Sequence, residues 1–418
     1  MPTSAEPYIY ADNAATTPLS PRALDAMMPY LTSEFGNPSG IHRIAREAAL
    51  ALGEARATMA RALNASRVDE LYMTSGGTES DNWVLRGAVQ RFRDQHGPHI
   101  TPRLITSSIE HHAILHCCEA LEREGVAVTY LPVDAQGRVS PRDLEQALRE
   151  HEARAHAEGL DASNAPAATA LVSIMLANNE VGTIQPIRQL ASIAHAHGAP
   201  FHTDAVQAVG HIPVDVQQLD VDALSLSAHK FHGPRGAGAL YLREGFSIPP
   251  LIAGGAQERG ERAGTENLAG VVGMAAALEE ACATLEHDAA RIAGLRDELT
   301  ARILADAAGV TATGAQPATA SELTRLPSIA SFTCDAVDGE LLVVLLDRDG
   351  VAAATGSACS TGSTEPSHVL TAMGIDAMRA KGALRISLAS DVTAEEIALL
   401  GERIPATITR ARLLSGIA

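Results

Sequence analysis

Between about residues 50 and 245, short apolar or β-branched runs alternate with amphipathic stretches, and this alternation constrains the fold more than any other feature. Residues 68–74, 103–107, 127–132, 170–175, 200–203 and 223–227 read as strands, each ending in polar or glycine residues. Residues 113–124 and 187–197 carry the helical period between them. The pattern predicts an α/β domain with a mostly parallel sheet covered by helices. In such sheets functional groups gather where the strands end. The polar clusters fall there: residues 75–78, Glu110 with His111, residues 178–180, Asp204, and His229 with Lys230.

A long alanine-rich helical pattern over 271–305 opens a region of different order. It continues with strand-like 328–333, helix-like 339–348, and strand-like 350–354 and 383–388. We assign residues 16–265 to a large domain, and residues 1–15 with 266–418 to a smaller α+β domain. Residues 150–167 are polar and alanine-rich without an apolar stripe, and read as a surface excursion.

Composition excludes several function classes. The net charge of −18 disfavours phosphate-backbone binding, which needs clustered Lys and Arg. Aromatic residues are 3%, too few for a base-stacking platform. We therefore expect no nucleic-acid partner. The first basic residue is Arg22, so no secretory leader is expected, and no apolar run looks long enough to span a membrane. Five cysteines, two of them adjacent, make no disulfide framework and point to a reducing, cytoplasmic compartment. No Cys or His pair has zinc spacing, so no metal is expected.

Five segments carry candidate chemistry. In residues 225–238 (SLSAHKFHGPRGAG) a strand runs into Lys230 and a Gly/Pro turn. A lysine at a buried strand end is costly unless paired or covalently used, for example as a Schiff base with pyridoxal phosphate. The alternative is a surface lysine after an edge strand. In residues 200–207 (PFHTDAVQ) Asp204 could pair with a pyridine nitrogen and Gln207 with a phenolic oxygen. The alternative for Asp204 is an N-cap on a following helix. Residues 74–82 (TSGGTESDN) bring a strand through two glycines into a helix start, whose N–H groups suit a phosphate. The alternative is a capping box built on Ser75 or Thr78. The segment matches neither a Walker motif nor GxGxxG, which disfavours nicotinamide. His111 opens a helix and suits ring stacking or acid–base work, or is simply a solvated helix-start histidine. Residues 354–368 (ATGSACSTGSTEPSH) form a small polar loop around Cys359, a better setting for a nucleophile than for packing. Cys117, Cys118, Cys282 and Cys334 read as structural.

Taken in order, these segments resemble the cysteine desulfurases, class-V-aminotransferase-like enzymes of pyridoxal-phosphate fold type I. The resemblance runs over about residues 8–400. It also rests on YADNAATTP (10–18), FGNPSGIH (35–42), NNEVGTIQ (178–185), ERGERAGT (258–265) and RIS (385–387). The loop around Cys359, with the following EPSH, is similar to that of the subgroup serving nitrogen fixation and general iron–sulfur assembly. The resemblance implies a homodimer with pyridoxal 5'-phosphate as cofactor and L-cysteine as substrate. It implies Lys230 as the cofactor's covalent anchor and proton carrier, Asp204 on the pyridine nitrogen and Gln207 on the phenolic oxygen. It places His111 on the ring and in proton transfer, and Gly77, Thr78, Ser227 and His229 at the phosphate. Thr265 is expected to complete that site in the partner subunit. Asn179 and Arg385 are expected to grip the substrate carboxylate. Cys359 is expected to take the sulfur as a persulfide, leaving alanine, for delivery to an acceptor such as an iron–sulfur scaffold. An aminotransferase or selenocysteine lyase on the same fold is the nearest alternative, and a catalytically silent binding partner a more distant one. The chain ends soon after its last helical pattern, so scaffold docking as in the general enzymes is not expected to carry over unchanged.

Overall fold

The computed structural model describes residues 7–161, 168–316, 323–356 and 365–414. Strand β1 (Ile9–Tyr10) is followed by helices α1 (Pro21–Leu31) and α2 (Arg43–Ala62). A sheet-and-helix layer then runs through β2 (Leu71–Thr74), α3 (Gly77–His96), β3 (Arg103–Ser107), α4 (His112–Arg123), β4 (Ala127–Leu131) and α5 (Pro141–Ala157). It goes on with β5 (Leu171–Ser173), α6 (Ile187–Ala196), β6 (Phe201–Asp204), α7 (Val216–Leu219), β7 (Ala223–Ser227) and β8 (Gly238–Leu242). Among the described residues these strands form a seven-stranded sheet in the order β2-β8-β7-β6-β5-β3-β4. Within it, β8 pairs antiparallel with both neighbours and the other pairings are parallel. The mostly parallel, helix-covered sheet is the fold class expected from the alternation.

Helix α8 (Leu268–Asp306) leads to a second layer: β9 (Val310–Ala312), β10 (Ile329–Cys334), α9 (Gly339–Arg348), β11 (Val351–Ala352), α10 (His368–Ala372), α11 (Ala377–Ala380), β12 (Ala383–Ser387) and α12 (Ala394–Leu414). Strands β9 and β12 flank β10 antiparallel, and β1 pairs with β11. Ile9 and Ala11 consequently lie in the same apolar core as Phe332, Leu346, Ile386 and Ile404. Helix α8 serves both cores, Leu268–Leu278 packing with the large sheet's side and Ile292–Ile303 with the small sheet.

Several local expectations are corrected. Residues 150–157 are the last two turns of α5, and His151 and Ala155 are buried, because Thr129 and Thr169 hydroxyls hold the two ring nitrogens of His151. Residues 68–70 form a 3-10 turn before β2, with the Glu70 carboxylate accepting the Arg67 N–H. By length and composition α8 would suffice to cross a membrane, contrary to the sequence reading, although half of its most apolar window is buried against its own chain. Cys282 is exposed on α8, whereas Cys117, Cys118 and Cys334 are buried.

Candidate functional site

A cavity of about 330 Å³ lies where β6, β7 and the start of α3 meet β12. Its wall includes Gly77, Thr78, His111, Asn179, Asp204, Gln207, Ser227, His229, Lys230 and Arg385, ten side chains or backbones from segments far apart in sequence. Local geometry explains why each arrives there.

Strand β7 lies inside the sheet, between β8 and β6, which removes the edge-strand reading of Lys230. A 3-10 turn over Ala228–Lys230 ends the strand and turns the lysine into the cavity. Its Nζ donates to the carbonyls of Ala14 (2.6 Å) and Ala15 (2.9 Å). The Gln207 amide donates to the same Ala14 carbonyl at 2.8 Å. The Thr17 hydroxyl donates to the His229 carbonyl, and His229 Nδ1 lies 3.1 Å from Thr16 Oγ1. The segment after β1 thus wraps the lysine turn. Burial and the neighbouring Lys230 charge lower His229 to about 4, so its ring is neutral at neutral pH.

Asp204 closes β6 and is 5% exposed. Turns rather than a helix follow it, so it caps no helix; its Oδ1 instead accepts the Val206 N–H at 2.9 Å. Burial raises this carboxyl, while the Val206 N–H and the Lys230 charge act to lower it.

The N-terminus of α3 has Gly76 as its cap, with φ 154° and ψ −177°, a conformation essentially reserved for glycine. A Cβ on Gly77 would fall 2.6 Å from Val206 Cγ2, so the helix start approaches the Asp204 turn only without a side chain. The capping-box reading is revised accordingly: the Glu79 carboxylate accepts the Ser75 N–H at 2.8 Å, and Arg262 forks onto it at 2.8 and 3.1 Å. Gly77 and Thr78, the first residues of this 20-residue helix, line the cavity, so the positive end of its dipole lies at the cavity as an anion site requires.

His111 caps α4, its Nδ1 accepting the Ala113 N–H at 3.1 Å. Burial and then the Lys230 charge lower it to about 4. The ring is neutral at neutral pH, and with Nδ1 accepting, its proton is assigned to Nε2.

Arg385 stands on β12 and is 2% exposed. Nη1 donates to the Asn179 carbonyl (2.9 Å) and Nη2 to Asp12 Oδ1 (2.7 Å), while Nε is buried without a partner among the described residues. Asn179 is itself placed by Asn178, whose Oδ1 accepts the Glu180 and Val181 N–H groups and whose amide donates to the Ile109 carbonyl.

Thr265 is exposed and does not line the cavity. Its segment is nevertheless anchored: Glu258 forks onto Arg56 at 2.6 and 2.7 Å and accepts the Met73 N–H. Cys359 lies outside the described residues. Gly356 and His368, on either side of it in sequence, both line the cavity. Sequence reasoning gave no role to Asp12, Ala14, Ala15, Asp81 or Asn178. The segment around Tyr10–Pro18 was singled out, yet carbonyl acceptors leave no side-chain signature.

The aminotransferase class-V family matches residues 9–400. Cysteine desulfurase IscS of Methanosarcina thermophila is 46% identical over 407 residues, covering 97% of this chain and 93% of the relative. Cysteine desulfurase NifS of Azotobacter vinelandii is 40% identical, covering 97% and 94%. Among solved structures, a NifS-like protein superposes with a TM-score of 0.82 at 36% identity, covering 96% of this chain and 100% of that one. SspA in complex with cysteine gives a TM-score of 0.72 at 32% identity, covering 91% and 98%. With this match along nearly its whole length, on a cavity built from the segments that first suggested it, the chain belongs to the class-V aminotransferase family and, within it, to the cysteine desulfurases.

Proposed function

We propose that this cysteine desulfurase uses pyridoxal 5'-phosphate to remove sulfur from L-cysteine, giving L-alanine and a persulfide on Cys359. The observation that carries the reading is one cavity lined by an amine (Lys230), a buried carboxylate (Asp204), a helix start (Gly77, Thr78) and the guanidinium-bearing Arg385. These groups fit the cofactor: Lys230 for its aldehyde, Asp204 for its ring nitrogen and Gln207 for its phenolic oxygen. Gly77, Thr78, Ser227 and His229 suit its phosphate, with Thr265 supplied from the partner of a homodimer. The group supplies an electron sink that makes the substrate Cα acidic.

The chain's own residues do the rest. Arg385 and Asn179 hold the substrate carboxylate, Arg385 being fixed by Asp12 and the Asn179 carbonyl. Lys230 moves the proton at Cα, drawn from an amine now held by two carbonyls. His111, neutral and with its proton on Nε2, would lie against the cofactor ring and is placed to give or take a proton. The Cys359 thiolate forms an S–S bond to the substrate sulfur, the Cβ–S bond breaks, and Cβ gains a proton to give alanine. Gly356 and His368, which flank Cys359 in sequence, both line the cavity, and this supports the cysteine as the nucleophile.

The persulfide is passed to a protein acceptor such as an iron–sulfur scaffold, in the cytoplasm, with neither nucleic acid nor membrane as partner. Purified protein given L-cysteine and a reductant should yield equal alanine and sulfide, and Cys359→Ala neither. Undiminished alanine from Cys359→Ala would move the nucleophile elsewhere, and no alanine from cofactor-loaded wild type would overturn the substrate.

A further inference from the structure

Next to Asp204 lies a second carboxyl to which the roles above give no work. Asp81, in the first turns of α3, lines the cavity with a side chain only 2% exposed. Its Oδ1 has no hydrogen-bond partner among the described residues. Ser225, the register partner of Asp204 on β7, acts on the Asp81 carboxyl against burial, lowering it. Ser225 Oγ is also 3.0 Å from His202 Nε2, and His202 Nδ1 is 2.9 Å from Ser173 Oγ.

Among the described residues no cation acts on Asp81; Lys230 lines the same cavity and acts on Asp204. From β6 it faces Asp204 and His202, from the turn before α4 Glu110, and from α4 Cys117. Burial holds His202 down at about 3, so it is neutral. Burial raises Glu110 to about 8 and Cys117 to about 11, so both keep their protons at neutral pH. Two adjacent buried carboxyls without a cation between them cannot both ionise cheaply. The competition is unequal. Asp204 has the Val206 N–H and faces the Lys230 charge, whereas Asp81 Oδ1 has no donor among the described residues, and burial and Asp204 outweigh Ser225 in favouring its neutral form.

We propose that Asp81 is a positioning residue that holds a proton beside Asp204, so that Asp204 is the single negative charge available to a cationic ring nitrogen. The proposal rests on the cofactor reading for its purpose, though not for its proton. With the proton on Asp81, the polar chain runs in one direction. Ser225 donates to His202 Nε2, and His202 through Nδ1–H to Ser173. Of the two adjacent carboxyls, Asp81 and Asp204, only Asp204 then carries a charge.

Infrared difference spectroscopy tests this, on the holoenzyme and on the same protein after cofactor removal. Wild type minus Asp81→Asn should show one protonated-carboxyl band at neutral pH; Glu110 contributes equally to both and cancels. In Asp204→Asn the pH at which the Asp81 band disappears should fall by about 1 unit or more, since a like charge has been removed. A carboxylate band in place of the protonated one would overturn the proposal, as would a titration unmoved by Asp204→Asn. If Asp81→Asn does not fold, the wild-type band and its displacement in Asp204→Asn decide alone. Failure of the cofactor reading is separately visible, as absence of a borohydride-fixed cofactor on Lys230.

Discussion

Replacing Arg385 with lysine keeps the charge and removes the fork. In the structure the guanidinium spends Nη1 on the Asn179 carbonyl and Nη2 on Asp12, and Nε is buried with no partner among the described residues. A lysine concentrates its donors on one nitrogen, so it can keep one anchor or meet the substrate carboxylate, but cannot reproduce the planar set. Losing one charge-assisted hydrogen bond costs about 1.5–3 kcal/mol. At about 1.4 kcal/mol per decade that is roughly tenfold to 100-fold in kcat/KM for L-cysteine. The carboxylate does not react, so it is held in ground and transition states alike, and the loss should fall mainly on KM. Alanine formation against cysteine concentration reads this, with cofactor content and thermal unfolding as controls. Asn179→Ala should cost less, because its anchoring group for Arg385 is the backbone carbonyl. An unchanged KM in a folded, cofactor-loaded Arg385→Lys enzyme would refute the assignment.

Lys230→Ala should abolish turnover and leave no cofactor covalently fixed by borohydride; a fixed adduct in the variant would place the anchor elsewhere. Glu258→Gln leaves the Arg56 charge buried without its fork partner and should cost about 3–5 kcal/mol in denaturant unfolding. Full stability would show that the Arg56 cation is satisfied by the Leu71 carbonyl alone. Glu110 is fully enclosed, its carboxyl raised to about 8 by burial, with Ser107 and the Met175 N–H as partners. The folded state therefore holds this proton more tightly than the unfolded one. Its contribution to stability is complete below the unfolded value near 4.5 and declines as pH rises to about 8. Wild type should lose more stability than Glu110→Gln over that interval, and parallel curves would contradict the burial argument.

The alternation of apolar runs and helical periods sufficed to predict the layered α/β fold, because strand and helix periods are local properties of a chain. Residue types at strand ends likewise marked Lys230, Asp204 and the Gly76–Gly77 turn, since buried charge and positive φ are costly enough to leave a sequence trace. The helical end of α5 escaped notice because His151 is a buried polar residue, satisfied by hydroxyls from two other segments.

What only the tertiary structure decided is which of these signals share a volume. The two carbonyls that hold Lys230, the Asp12 that fixes Arg385, and the Glu258 that fastens the Thr265 segment to β2 and α2 act across more than 180 residues of chain. Their effect depends on distance and burial, which no local pattern encodes. The pairing of Asp81 with Asp204 is of the same kind. In sequence each is an ordinary acid near a helix or strand end, and the Lys230 charge and Val206 N–H, which act on Asp204 alone, make them unequal.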